Sequence, residues 1–116
     1  MKLDRLFVDL PPDKVRVLLF AFARRLDGGF TAAEAEQFCT DLAAPESEDG
    51  VLLETKVLLG GENLPFIIDV LGHDTDTFEL VLIVPRVLAN LVQEEIRVHF
   101  GAVPLRIISG EFTESE

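Results

Sequence analysis

VLLETKVLLGGENLPFIIDVLGHDTDTFELVLIV, residues 51–84, is the stretch of the sequence that decides the fold. Apolar and polar side chains alternate within three segments of it, residues 51–59, 64–71 and 77–84. A period of two is typical of a strand that buries one of its faces, and the Gly-rich and Asp-rich connections between the segments are typical of hairpin turns. The stretch therefore predicts a three-stranded antiparallel meander.

The two faces of the predicted meander differ in composition. On one face nearly every side chain is apolar, and we expect helices to pack there. The opposite face mixes charges with apolar side chains, among them Leu58, Leu71, Ile67, Val81 and Ile83. These are too many apolar groups for a purely solvated surface. We therefore expect the N-terminal segment, the neighbourhood of the last strand or a second copy of the chain to cover part of it.

Three acids lie on this second face. If both hairpins close symmetrically, Glu54, Asp69 and Glu79 stand in one row across the three strands. Like charges that lie directly opposite each other destabilise a sheet, so such a row would need a counter-ion: Lys56, a metal ion or a basic partner. A register displaced by one or two pairs would leave three solvated acids instead, and we favour this plainer arrangement.

Helical signals flank the meander on both sides. A Pro-Pro-Asp start favours a first helix over residues 13–26, and a capping box of Thr31 and Glu34 starts a second one. Residues 86–100 have a helical period, and residues 105–109 predict a final strand. The fold class is therefore α+β, with two N-terminal helices, a three-stranded antiparallel meander, a third helix and a final strand.

The remaining segments complete the predicted domain. Residues 3–10 fit neither a helical nor a strand period, and we assign them to a short strand. The length of 116 residues and the hydrophobic fraction of 48% predict one folded α+β domain over residues 1–110. Residues 111–116 form an acidic C-terminal tail, which we expect to be disordered.

Charge and cysteine content narrow the classes of function. The net charge is −11, but it is +3 over residues 1–26 and −14 over residues 27–116. A body this acidic repels phosphate backbones, so we expect no nucleic-acid partner and favour a basic protein or the basic segment of another copy. The most apolar run is too short to cross a bilayer, and the single cysteine, Cys39, excludes an internal disulfide framework. We therefore expect a cytoplasmic protein without a membrane partner.

The first predicted helix is apolar on two sides. Its core stripe comprises Val15, Leu18, Leu19, Phe22 and Leu26, while Val17, Phe20 and Ala21 lie on the far side beside Arg24. Phe20 would serve as an aromatic anchor and Arg24 as an interface rim. We expect a dimer interface that combines this side of the helix with the second face of the sheet: Val17, Phe20, Arg24, Ile67, Val81 and Ile83. Burial of these groups inside the monomer is the alternative.

Few residues could carry chemistry. Glu95 and His99 lie one turn apart in the apolar arc of the third predicted helix, where a carboxylate could hold an imidazole as a general base or a pH switch. We favour an ordinary Glu-His helix pair. Cys39 lies on the core stripe of the second helix and is expected to be a small buried hydrophobe. Nucleotide-binding, zinc-protease, dithiol and serine-hydrolase motifs are missing, and we expect no cofactor.

The size, the acidity and the order of helix, meander and helix resemble those of small secretion chaperones, which are acidic homodimers that bind unfolded effector segments. The paired N-terminal helices depart from that pattern, and no motif is shared. The sequence favours a non-enzymatic protein-interaction or regulatory domain, homodimeric, with a basic or unfolded protein as partner. The alternative is a small carboxylate-based or metal-assisted enzyme or ligand-binding protein, which would use Glu54, Asp69 and Glu79, or Glu95 with His99.

Overall fold

Five strands and three helices make up the part of the chain that the structure, a computed structural model, describes: residues 2–26, 29–43, 51–73 and 77–111. In chain order they are β1 (Lys2–Leu10), α1 (Pro12–Arg25), α2 (Ala32–Ala43), β2 (Leu52–Leu59), β3 (Glu62–His73), β4 (Phe78–Pro85), α3 (Arg86–Phe100) and β5 (Leu105–Glu111). The strands form one antiparallel sheet with the order β2-β3-β4-β1-β5, so the α+β class and the meander are confirmed. The predicted tail lies outside the described residues except for Glu111, the last residue of β5.

The predicted order of elements leaves out β1, although the short strand predicted over residues 3–10 is confirmed. This strand of nine residues precedes the two N-terminal helices and lies between β4 and β5, inside the sheet. Leu6 pairs with Leu82 on one side and with Ile107 on the other. On the side of β1 away from the helices, Leu3 and Phe7 are half-buried, so both of its alternating rows contain apolar side chains. The period of two is blurred for this reason, and residues 3–10 look irregular in the sequence.

The hydrophobic core lies between the helices and one face of the sheet. The ring of Phe66 in β3 meets the ring of Phe22 in α1 edge to face, with the centroids 5.3 Å apart. The ring of Phe30, which precedes α2, lies 6.1 Å from the same ring. The core face of the meander contributes buried side chains as predicted: Val57, Phe66, Ile68, Val70, Leu80 and Leu82. Side chains from α1 and from the segment before α2 thus both contact the ring of Phe66 in β3.

The helices begin and end where local signals in the sequence predict. Pro12 occupies the first turn of α1, where a missing amide hydrogen costs nothing. Ahead of α2, the Thr31 amide donates to Glu34 Oε1 at 2.8 Å and the Glu34 amide donates to Thr31 Oγ1 at 3.2 Å, which is the predicted capping box. Gly101 ends α3 with a φ of 71°, in the region that favours glycine.

Replacing Phe66 with Ala should lower the free energy of unfolding by about 3 to 5 kcal/mol, because the change leaves a cavity beneath α1. Val98→Ala is the matched control, since Val98 is 70% exposed on α3 and its change should stay within about 0.5 kcal/mol. Urea unfolding followed by circular dichroism measures both values. Equal losses for the two variants would contradict the central place of Phe66 in the core.

Candidate interaction surface

The face of the sheet turned away from the helices, called the open face below, has no helix over it in the described ranges of the chain. Its side chains alternate with the core side chains along each strand. Its members are Leu3, Arg5, Phe7 and Asp9 of β1, Leu52, Glu54, Lys56 and Leu58 of β2, Ile67, Asp69 and Leu71 of β3, Glu79, Val81 and Ile83 of β4, and Arg106 and Ile108 of β5. Four of its aliphatic side chains are between 46% and 57% exposed: Leu52, Leu58, Leu71 and Ile108. Exposed apolar surface collected on one side of a sheet is typical of a contact surface.

The predicted row of three acids is wrong, because both hairpins have a different register. The three acids lie opposite different residues: Glu54 opposite Ile67, Asp69 opposite Val81, and Glu79 opposite Asp9. The plainer arrangement, in which the three acids do not share a row, is the one observed. Among the residues that the structure describes, no group of three or more His, Cys, Asp or Glu is placed to hold a metal ion.

Two local features set the observed register. The turn between β2 and β3 consists of Gly60 and Gly61 alone, with φ of 64° and 87°, so Glu62 already belongs to β3. Two residues with positive φ form the tight hairpin turn that matches the twist of the strands. A β-bulge then interrupts the pairing of β3 with β4 between Val70 and Gly72. The symmetric four-residue turn assumed for the prediction is thus replaced by a shorter one.

The net charge of the open face differs in sign across its width: β2 and β3 carry Glu54, Asp69 and Lys56, a net charge of −1, whereas β1 and β5 carry Arg5, Arg106 and Asp9, a net charge of +1. Glu54 and Asp69 lie on β2 and β3, toward one edge of the sheet, whereas Arg5 and Arg106 lie on β1 and β5, toward the other. The Arg106 guanidinium lies over the Phe7 ring, 4.5 Å from its centre, in a cation–π contact. Between the two halves, β4 places mainly aliphatic side chains.

The three predicted interface residues of the sheet all lie on the open face. Ile67 and Ile83 are cross-strand partners, and each is half-buried. Val81 is only 4% exposed in the single chain, because its neighbours on the sheet already cover it. Ile67 and Ile83 therefore keep exposed surface that a partner could contact, whereas Val81 is buried beside them.

The three predicted interface residues of α1 lie on the other side of the molecule. Val17, Phe20 and Arg24 are on the side of α1 turned away from the sheet, since the opposite side of this helix packs on Phe66. Phe20 is half-buried, and the Arg16 guanidinium lies 5.0 Å from the centre of its ring. Ala21, predicted on the same side, is buried instead. The open face and this side of α1 point in opposite directions, so one two-fold contact between copies cannot contain both.

The carboxylate of Glu95, a predicted candidate for acid-base chemistry, is buried between α1 and α3. His99 Nε2 lies 3.3 Å from Glu95 Oε1, which is the predicted helix pair. The other Glu95 oxygen accepts a hydrogen bond from Arg25 at the end of α1, and Arg25 Nη2 lies 3.2 Å from Glu94 Oε1. Sequence reasoning missed Arg25, because it lies 70 residues from Glu95 and only the packing of the two helices brings them together.

Replacing Arg25 with Ala should destabilise the fold by about 1 to 2 kcal/mol, because a buried carboxylate loses a charged donor while the half-exposed arginine limits the gain of the pair. Arg24→Ala is the matched control: it removes the same group from the adjacent, exposed position. Urea unfolding of both variants measures the two losses of unfolding free energy. If the two changes cost the same, the bond between Arg25 and Glu95 contributes nothing to stability.

Cys39 is half-buried on α2, next to the ion pair between Arg16 Nη2 and Glu36 Oε1, which are 2.7 Å apart. Burial raises the pKa of the Cys39 thiol, Arg16 opposes this effect, and Glu36 adds to it. A raised pKa leaves little thiolate at neutral pH, and the thiolate is the nucleophile. The environment of Cys39 is therefore that of an unreactive thiol.

Alkylation of Cys39 by iodoacetamide at about pH 8 should be several-fold slower than that of free cysteine, because the folded chain holds less thiolate and shields the sulfur. The rate should continue to rise with pH where the reaction of free cysteine levels off. Mass spectrometry of quenched samples gives the rate, and the chain unfolded in urea, which should react like free cysteine, is the control. Equal rates for the folded and unfolded chain would contradict this account.

Comparison with known proteins gives no relative from which a function could be transferred: no family model matches the chain, and neither a curated protein nor a solved structure matches it significantly. In the described part of the chain, none of the helices is at once long enough and apolar enough to cross a membrane. The functional argument therefore starts from the geometry of the open face.

Proposed function

We propose that this chain is a non-enzymatic protein-interaction or regulatory domain that acts as a homodimer, with the open face as its contact surface. The observation that supports this proposal is the half-exposed aliphatic surface of Leu52, Leu71 and Ile108 on a sheet whose other face is closed by helices. Removing apolar surface from water is favourable by about 25 cal/mol for each Å². A partner that covers the open face would gain this free energy without any rearrangement of the core.

The charge of the chain supports a basic protein as a further partner. Exposed acids lie on the helices, on the side away from the open face, among them Glu34, Glu36 and Glu94. With a net charge of −11, such a surface attracts cationic segments and accelerates their association at low ionic strength. A dimer formed through the open face would leave these acids accessible on both copies.

The contacts of Glu95 and His99 give less support to the enzymatic alternative. Glu95 and His99 would have to act as an acid-base pair, yet the Glu95 carboxylate also accepts a hydrogen bond from Arg25 and thereby joins α1 to α3. A structural role accounts for these contacts without a substrate. We therefore place interaction ahead of catalysis.

Replacing Ile83 with Glu should weaken self-association at least tenfold, because the change puts a charge into the middle of the open face. Val98→Glu makes a similar aliphatic-to-acid change on the exposed surface of α3 and should leave the dimer intact. Sedimentation velocity over a series of concentrations measures both, with circular dichroism to verify that each variant is folded. A wild-type chain that stays monomeric at the highest concentration would refute the proposal.

A further inference from the structure

We infer that the two copies stack open face to open face around a two-fold axis parallel to β4, so that Glu54 and Asp69 of each copy meet Arg106 and Arg5 of the other. The inference rests on the proposed function and adds to it the orientation of the partner and four residues that select it. A second copy is the occupant because the open face is complementary in charge to itself, as the following steps show.

The first step concerns symmetry. An isologous face-to-face contact has its two-fold axis in the plane of the contact. An axis along the strands through β4 exchanges the two edges of the sheet, so β2 lies over the partner's β5 and β3 lies over the partner's β1. An axis across the strands would instead place β2 over β2 and β3 over β3. Only the first arrangement brings the acidic half of one copy onto the basic half of the other.

The second step concerns the rows of side chains that run across the five strands. One row contains Leu52, Asp69, Val81, Phe7 and Arg106, and the next row contains Glu54, Ile67, Ile83, Arg5 and Ile108. Neighbouring rows are about 7 Å apart along the strands. With the axis along β4, Asp69 lies one row from the partner's Arg5, and Glu54 lies one row from the partner's Arg106. Arginine side chains span this distance, so each dimer contains four such pairs, against two like-charged pairs in which Asp69 lies one row from the partner's Asp9.

The third step concerns the middle of the contact. β4 lies on the axis, where Val81 and Ile83 meet the same residues of the partner and Ile67 adjoins them, while Glu79 meets its counterpart one row from Val81. An apolar centre with charged groups around it is the usual anatomy of a specific interface. The charged pairs toward the edges then fix the orientation of the partner, while the aliphatic centre supplies most of the attraction.

The fourth step concerns size and net charge. Five strands about 4.8 Å apart and about 27 Å long give about 650 Å² of open face for each copy, or about 1,300 Å² for the pair. Specific interfaces begin at about 1,200 Å². The open face carries three basic side chains (Arg5, Lys56 and Arg106) and four acidic ones (Asp9, Glu54, Asp69 and Glu79), so it is nearly neutral on a chain of net charge −11. Two copies therefore repel each other least through this face.

Charge reversal tests the orientation. The variant R5E/R106E makes both halves of the open face acidic, and the variant E54R/D69R makes both halves basic. Each should self-associate at least tenfold more weakly than the wild type in sedimentation velocity at low salt. The fourfold variant, which carries all these changes, should recover the wild-type dimer, and an equimolar mixture of the two double variants should form a heterodimer. R24E/R97E, which changes the net charge as much as R5E/R106E but on the helices, should stay dimeric.

The outcomes separate this inference from the proposed function. In one outcome Ile83→Glu disrupts the dimer, while both double variants leave it unchanged or weaken it no more than R24E/R97E does. This outcome would overturn the orientation and leave the proposed function standing. A monomeric wild type would overturn both. A monomeric wild type that binds a lysine-rich peptide, with E54R/D69R abolishing the binding, would assign the open face to a basic protein and overturn the inference. Circular dichroism verifies folding, and the single variants R106E and E54R, at exposed positions, provide the same comparison if a double variant unfolds.

Discussion

The packing of α1, α2 and α3 on a single face of the sheet is the constraint on which the remaining features of the molecule depend. Phe66 lies at the centre of that packing, in contact with Phe22 of α1 and with Phe30 ahead of α2. Once the helices occupy one face, the period of two along each strand assigns every other side chain to the opposite face. The open face is therefore a direct result of how the core is built, and its aliphatic groups have no role in closing that core.

The sequence was informative wherever the structure depends on near neighbours in the chain. Alternation predicted which side chains of the meander face the helices, and the pattern of Thr31 and Glu34 predicted the start of α2. The register was predicted less well. The choice between a turn of two residues and a turn of four depends on the backbone angles of Gly60 and Gly61, which amino-acid identity permits but does not impose. That one choice decided whether Glu54 and Asp69 would lie opposite each other.

Contacts between distant segments were beyond such reasoning. Nothing near Arg25 in the sequence indicates that it bonds to Glu95, since the contact exists only because α1 packs beside α3. The same holds for the separation of charge on the open face. Arg5 and Arg106 lie on neighbouring strands only through the pairing of β1 with β5, and that pairing places both of them on the side away from Glu54. Residue patterns define each strand, whereas the order of strands requires the whole fold.

The inner position of β1 also has a consequence for how the chain folds during synthesis. β1 is made before both of its neighbours, and its partners in β4 end at Pro85 while those in β5 extend to Glu111. In a nascent chain on the ribosome, β1 therefore stays unpaired until β4 has emerged, which is most of the polypeptide. Closing such long loops is entropically costly, and folds dominated by distant strand pairs form slowly. During this interval β1 exposes unpaired backbone and apolar side chains, the two features that make folding intermediates prone to aggregation.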